Sequence, residues 1–88
     1  MMGFGYRRLP EEVVLGRTSK QVFEILVKHT SFPWPVMKAQ ARRIDADPAN
    51  LSPADVKALV ENIADAVGRF TTPQKRDAVA DALRALAP

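Results

Sequence analysis

Apolar side chains recur about once per helical turn along most of the chain after residue 18. Spacings of three and four residues place side chains on one face of an α-helix. The clearest apolar stripe consists of Val56, Leu59, Val60, Ile63, Val67 and Phe70. No stretch alternates apolar and polar residues as a half-buried β-strand does. The pattern predicts an all-α protein.

Capping residues set the expected bounds of the helices. Ser52 and Pro53, followed by Asp55 at the third helical position, favour a helix start, and Thr18 with Gln21 forms a second capping-box pattern. Gly68 is expected to end its helix in the left-handed conformation. The predicted helices cover residues 19–29, 35–46, 53–67 and 73–86. The loop between the last two is short, which favours an antiparallel hairpin.

The N-terminal stretch has neither a helical nor a strand period. We therefore expect a flexible arm at residues 1–17 and a single helical domain at residues 18–88. The arm contains Gly3-Phe4-Gly5-Tyr6, which is similar to part of the octamer with which RNA-recognition motifs stack bases. That octamer lies on a central strand of a sheet, and no strand is predicted here. We expect Phe4 and Tyr6 to pack against the domain or a neighbour. The alternative is an arm that contacts nucleic acid nonspecifically, with Arg7 and Arg8 on phosphates and Tyr6 stacked on a base.

Length and composition narrow the class of protein. The 88 residues are enough for one domain, and 47% of them are hydrophobic and 26% charged, as in ordinary globular proteins. The absence of cysteine excludes disulfides, thiolate metal sites and thiol catalysis. No apolar run is long enough to span a membrane, and no secretory signal pattern precedes the domain. We expect a cytoplasmic protein.

The charge is unevenly distributed along the chain. The net charge is +3, but residues 1–44 carry eight Lys or Arg against three Asp or Glu, and residues 45–88 carry five against seven. A basic half joined to an acidic half can serve an anionic partner such as nucleic acid, or a second copy of the chain packed in the opposite sense. Ordinary scatter of charge along the chain is the third explanation. The candidate phosphate contacts are Arg7, Arg8, Arg17, Lys20, Lys38, Arg42 and Arg43.

Aromatic and methionine side chains cluster beside two prolines in the segment that contains Phe32, Trp34 and Met37. Such side chains are enriched at protein interfaces and are equally common in cores. With Phe70, at the end of the longest stripe, they form the set of interface candidates.

Three other patterns have structural explanations as well as functional ones. Ala64 and Gly68 have the spacing of a helix-turn-helix, but Asp77 and Asp81 on the following helix would repel phosphate. His29 stands at a helix end, where the helix dipole stabilises a protonated imidazole. Oxygen donors cluster at residues 45–55, yet the sequence departs from the EF-hand pattern, and turn and capping roles account for these residues.

No combination of residues forms a recognisable catalytic or cofactor site. The sequence therefore predicts a small non-enzymatic helical module that binds a protein partner and self-associates through apolar helix faces. The alternative is a small nucleic-acid-binding regulator that uses the basic N-terminal half. We expect no cofactor and no metal.

Overall fold

Four helices in the described part of the chain pack in a closed ring. In a computed structural model, which describes residues 9–86, they are α1 (Arg17–Val27), α2 (Pro33–Arg42), α3 (Pro53–Gly68) and α4 (Pro73–Leu86). The described residues contain no strand, so the predicted all-α fold is confirmed. The most extensive contact joins α3 to α4 as an antiparallel hairpin, α2 packs on α3, and α1 lies against both α2 and α4.

The stripe of α3 forms the centre of the core. Val56, Leu59, Ile63 and Val67 are fully or almost fully buried. The other helices contribute buried residues to the same cluster, namely Val22, Leu26, Trp34, Met37, Ala41, Val79, Ala80 and Leu83. The stripe is therefore covered by residues of the same chain.

The start of α3 follows the predicted capping box. The Ser52 hydroxyl accepts a hydrogen bond from the Asp55 amide at 3.1 Å, and the Asp55 carboxylate accepts one from the Ser52 amide at 2.9 Å. Pro53 occupies the first helical position, where a backbone N–H would lack a partner in any case. Local residues alone fix this helix end.

The start of α1 differs from the prediction. The helix begins at Arg17, its cap is Gly16, and Thr18 lies within the first turn and does not cap it. Two contacts with the loop before α3 set this end: the Gly16 amide donates to the Ala49 carbonyl at 2.8 Å, and the buried Ser19 hydroxyl accepts from the Leu51 amide at 2.7 Å. A long-range contact has overridden the local pattern.

Helix α2 begins earlier and ends earlier than predicted. Pro33 and Pro35 both fit in its first turn, because neither needs to donate an intrahelical hydrogen bond there. The helix ends at Arg42, and Asp45 adopts a left-handed conformation with φ of 54°. The Ala46 amide then donates back to the Ala41 carbonyl at 3.0 Å, which closes the helix end.

The prediction that Gly68 ends α3 in the left-handed conformation is wrong. Gly68 is the last helical residue, Arg69 follows as the cap with φ of −65°, and no described glycine has a positive φ. A Cβ atom at Gly68 would lie 3.1 Å from the Cβ and Cγ atoms of Arg76. The glycine permits close approach of α4, and its role is in packing.

The segment before α1 lies on the domain where the structure describes it. Leu9, Val13 and Leu15 are partly buried against the core. Residues 1–8 of the predicted arm, among them Phe4 and Tyr6, lie outside the described residues.

Ion pairs join the exposed sides of α3 and α4. Arg76 donates to Glu61 and Asp65 at 2.8 Å and also pairs with Asp77, while Arg84 pairs with Glu61 and Asp81. The hydrogen bonds from Arg76 and then Arg84 hold the pKa of Glu61 below its ordinary value. The network fixes the register of the hairpin at its surface.

Replacing Ser19 with alanine is expected to lower the free energy of unfolding by about 1–3 kcal/mol, because the buried Leu51 amide then has no acceptor. Chemical denaturation of the purified variant measures the change. Ser31→Ala, at an exposed position, is the matched control and should shift stability by no more than about 0.5 kcal/mol. Equal effects of the two substitutions would contradict a tethering role for Ser19.

Glu61→Gln is expected to lower the thermal midpoint at pH 7, because it removes the charge that pairs with Arg76 and Arg84. A carboxylate with a lowered folded-state pKa stabilises the fold above its unfolded pKa, and loses that effect as pH falls through its folded pKa. The difference between wild type and variant should therefore shrink in acid. Glu24→Gln, at an exposed position of α1, is the control. A difference that persists unchanged at low pH would exclude the ion pairs as its cause.

Candidate interaction surface

Phe70 continues the apolar stripe of α3 in sequence but lies outside the core. The helix ends at Gly68, and Phe70 falls in the turn that follows, where its amide donates to the Val67 carbonyl at 3.1 Å. The Thr71 hydroxyl donates to the same carbonyl at 2.9 Å. The side chain is 74% exposed. The turn thus presents a large apolar ring on a well-bonded backbone.

Phe32 is the second aromatic residue on this surface. It is the cap residue of α2; its amide donates to the Thr30 hydroxyl at 3.2 Å, and its carbonyl accepts from the Val36 amide at 3.1 Å. The side chain is 40% exposed. Because the backbone is bonded on both sides, the point from which the ring projects is fixed before any partner binds.

Phe32 and Phe70 both line two neighbouring grooves, and we call this pair the aromatic ridge. On one side lies the apolar groove, of about 370 Å³, formed by Phe32, Pro35, Val36, Ala39, Gln40, Ala66, Arg69 and Phe70. On the other lies the basic groove, of about 240 Å³, formed by Val27, Lys28, His29, Thr30, Ser31, Phe32, Phe70, Thr71 and Lys75. The ridge is where the end of α3 meets the start of α2.

Gln40 is a polar residue in the lining of the apolar groove. Its side chain is 8% exposed, and its Oε1 atom has no hydrogen-bond donor among the described residues. Buried polar atoms are almost always paired, and an unpaired one costs free energy. An apolar residue would suit the isolated domain better at this position.

The structure separates the four interface candidates into two pairs. Trp34 and Met37 are buried in the core and contact no solvent-facing groove described above. Phe32 and Phe70 form the aromatic ridge. Only the second pair is exposed at the surface of the domain.

The candidate phosphate contacts do not form one uniformly basic surface in the described part of the chain. Lys38 and Arg42 line a shallow depression together with Asp45 and Asp47, whose carboxylates offset their charge. Arg17, Lys20 and Arg43 are also exposed, and Arg7 and Arg8 lie outside the described residues. Nucleic-acid binding by this set stays a hypothesis.

In the oxygen-rich loop between α2 and α3, several side-chain oxygens accept hydrogen bonds from backbone amides. The Asp47 carboxylate accepts from the Ala49 amide at 2.9 Å, Asp45 forms the left-handed turn, and Ser52 and Asp55 form the capping box. Among residues 9–86, no three acidic or histidine side chains lie together in a way that could hold a metal ion.

The remaining candidates, the two aspartates of α4 and His29, also make contacts within the domain. Asp77 and Asp81 on α4 are exposed and pair with Arg76 and Arg84. His29 lies just after α1, where its amide donates to the Leu26 carbonyl at 3.0 Å and its ring lines the basic groove.

The residues that give this surface its polar and cationic side chains were not among the site residues predicted from the sequence. Gln40 interrupts the apolar period of α2, and that interruption was visible in the sequence. Lys28, Arg69 and Lys75 come from three separate parts of the chain, and only the fold brings them around the aromatic ridge.

A scan against protein-family models and searches of curated proteins and of solved structures find no match for this chain. In residues 9–86, none of the helices combines the length and the hydropathy needed to cross a bilayer.

Gln40→Leu is expected to raise the free energy of unfolding by about 1 kcal/mol, because it removes a buried acceptor that has no donor. Denaturant unfolding measures the gain. Gln21→Leu, at an exposed position of α1, is the control and should change stability by no more than about 0.5 kcal/mol. Destabilisation by Gln40→Leu would show that the amide is already satisfied in the free domain.

Proposed function

We propose that the protein is a non-enzymatic protein-binding module and that the aromatic ridge is its binding surface. The observation that carries the proposal is the pair of exposed phenylalanines, Phe32 and Phe70, beside a groove with an apolar lining. Single exposed apolar residues are common on protein surfaces, but adjacent ones around a groove are typical of interaction sites.

The energetics favour a small, transient interface. Full burial of an exposed phenyl ring contributes roughly 1.5–3 kcal/mol. Phe70 approaches that value and Phe32, which is 40% exposed, contributes less. Aromatic residues often dominate the binding energy of an interface. Hydrogen bonds of the Phe32 amide and carbonyl, and of the Phe70 amide, hold the backbone at both residues and reduce the entropy lost on binding. Two such rings support a moderate affinity, which suits a partner that binds and leaves.

The fold changes the expected partner. Self-association was inferred from the apolar stripe of α3, yet that stripe is covered by the other helices of the same chain, and only Phe70 remains exposed. A second copy is therefore not needed to bury the stripe. We propose a different protein as the partner.

Selection from a randomised peptide-display library on the immobilised protein tests this function without assuming the nature of the partner. Peptides that bind the wild type are expected to lose most of their binding to Phe70→Ser, because the exposed ring supplies the contact and the core is untouched. Val14→Ser is the matched control, since Val14 is 84% exposed and lines neither groove. Binders that tolerate Phe70→Ser, or a selection that enriches no binder, would contradict the proposal.

A further inference from the structure

The rim of the two grooves carries positive charge only. Lys28 and Lys75 line the basic groove and Arg69 lines the apolar groove, and no aspartate or glutamate is present in either lining. All three side chains are exposed, and none forms an ion pair within residues 9–86. Their charges are therefore available to carboxylates of a partner.

The same charges disfavour a symmetric dimer through the ridge. In a two-fold interface each patch faces a copy of itself, so three cations of one chain would lie near the same three of the other. Like charges brought together in this way oppose association. A partner with the opposite charge has no such penalty.

The backbone of the fold restricts the conformation of the partner segment. The described residues contain no strand, so an extended peptide has no sheet edge with which to pair its amides. A helix satisfies its own backbone hydrogen bonds and can place apolar side chains in a groove at intervals of three and four residues. The walls that it would meet are side chains of α2 and of the end of α3.

Gln40 supplies a second, independent indication of a ligand. Its side chain is more than nine-tenths buried in the lining of the apolar groove, and its Oε1 atom has no donor in the free domain. The Oε1 atom is closed to water in the free domain, so a segment seated in this groove must turn the Gln40 side chain before a polar hydrogen can give that acceptor the bond it lacks.

We propose that the aromatic ridge and its two grooves bind an amphipathic helix of another protein, one with carboxylates beside its apolar stripe. This inference rests on the proposed function and adds the chemistry of the partner. The apolar stripe contacts Phe32 and Phe70, and the carboxylates pair with Lys28, Arg69 and Lys75.

Fluorescence anisotropy with two designed peptides tests the proposal. Each peptide has roughly 18 residues, long enough for about five helical turns, with leucines at helical spacing. One carries glutamates beside the leucines, and the other carries lysines at the same positions. The acidic peptide is expected to bind at least about tenfold more tightly, a ratio that falls as salt rises.

A charge reversal of the rim sharpens the test. The triple variant Lys28→Glu, Arg69→Glu and Lys75→Glu is expected to invert the preference and to bind the lysine peptide more tightly. Lys57→Glu, at an exposed position of α3 outside both grooves, is the control and should retain the wild-type preference. The triple variant and its control together test the role of charge. Separately, Gln40→Leu should weaken binding of the acidic peptide without loss of stability.

The outcomes separate this inference from the proposed function. Selected peptides that need Phe70 but carry no acidic bias would leave the binding module in place and overturn the acidic helix. Equal binding of both designed peptides, or binding of neither, would also overturn it. So would a dimer in sedimentation that Phe70→Ser dissociates, or displacement of the acidic peptide by a single-stranded oligothymidine that binds at the ridge.

Discussion

Burial of one face of α3 is the constraint on which the rest of the fold depends. Val56, Leu59, Ile63 and Val67 leave water only if other helices close over them, and α2 and α4 do so directly. Helix α1 then joins α2 to α4 and completes the ring. Apolar burial is the main favourable contribution to folding. A chain of this size buries a smaller fraction of its surface than a larger domain does, so it depends strongly on each apolar side chain that it buries.

The candidate interaction surface is a consequence of where α3 ends. The helix stops at Gly68, two residues before its apolar stripe ends at Phe70, because the chain must reverse to bring α4 alongside. Phe70 is consequently left on the outside of the turn, and the start of α2 places Phe32 next to it. The same close approach of α4 that requires Gly68 also brings Lys75 to this end of the domain.

The parts of the fold that local chemistry decides were predictable from the sequence. The capping box of Ser52 and Asp55 and the stripe that follows it fix α3, and the bounds of α4 agree with the prediction. The start of α1 was not predictable, because it depends on a hydrogen bond between Ser19 and Leu51, which are distant in sequence. Local capping rules carry no information about such a contact.

The candidate site was predictable only in part, for the same reason. Phe32 and Phe70 were identified as aromatic candidates, but nothing local distinguishes them from Trp34 and Met37, whose burial is decided by the packing of α2 on the core. The cationic rim depends on which ends of the helices meet. Composition revealed an excess of basic residues, and the fold determines which of them surround an apolar groove.

One chain by itself buries the stripe of α3 as far as Val67 and leaves the aromatic ridge outside. Native-state hydrogen exchange, measured over a wide range of protein concentration, tests it most directly. The amides of Leu59, Val60 and Ile63 are expected to exchange only through global unfolding, with protection that does not depend on concentration. Protection of these amides that appears only as the concentration rises would mean that a second copy covers the stripe, and would contradict the account.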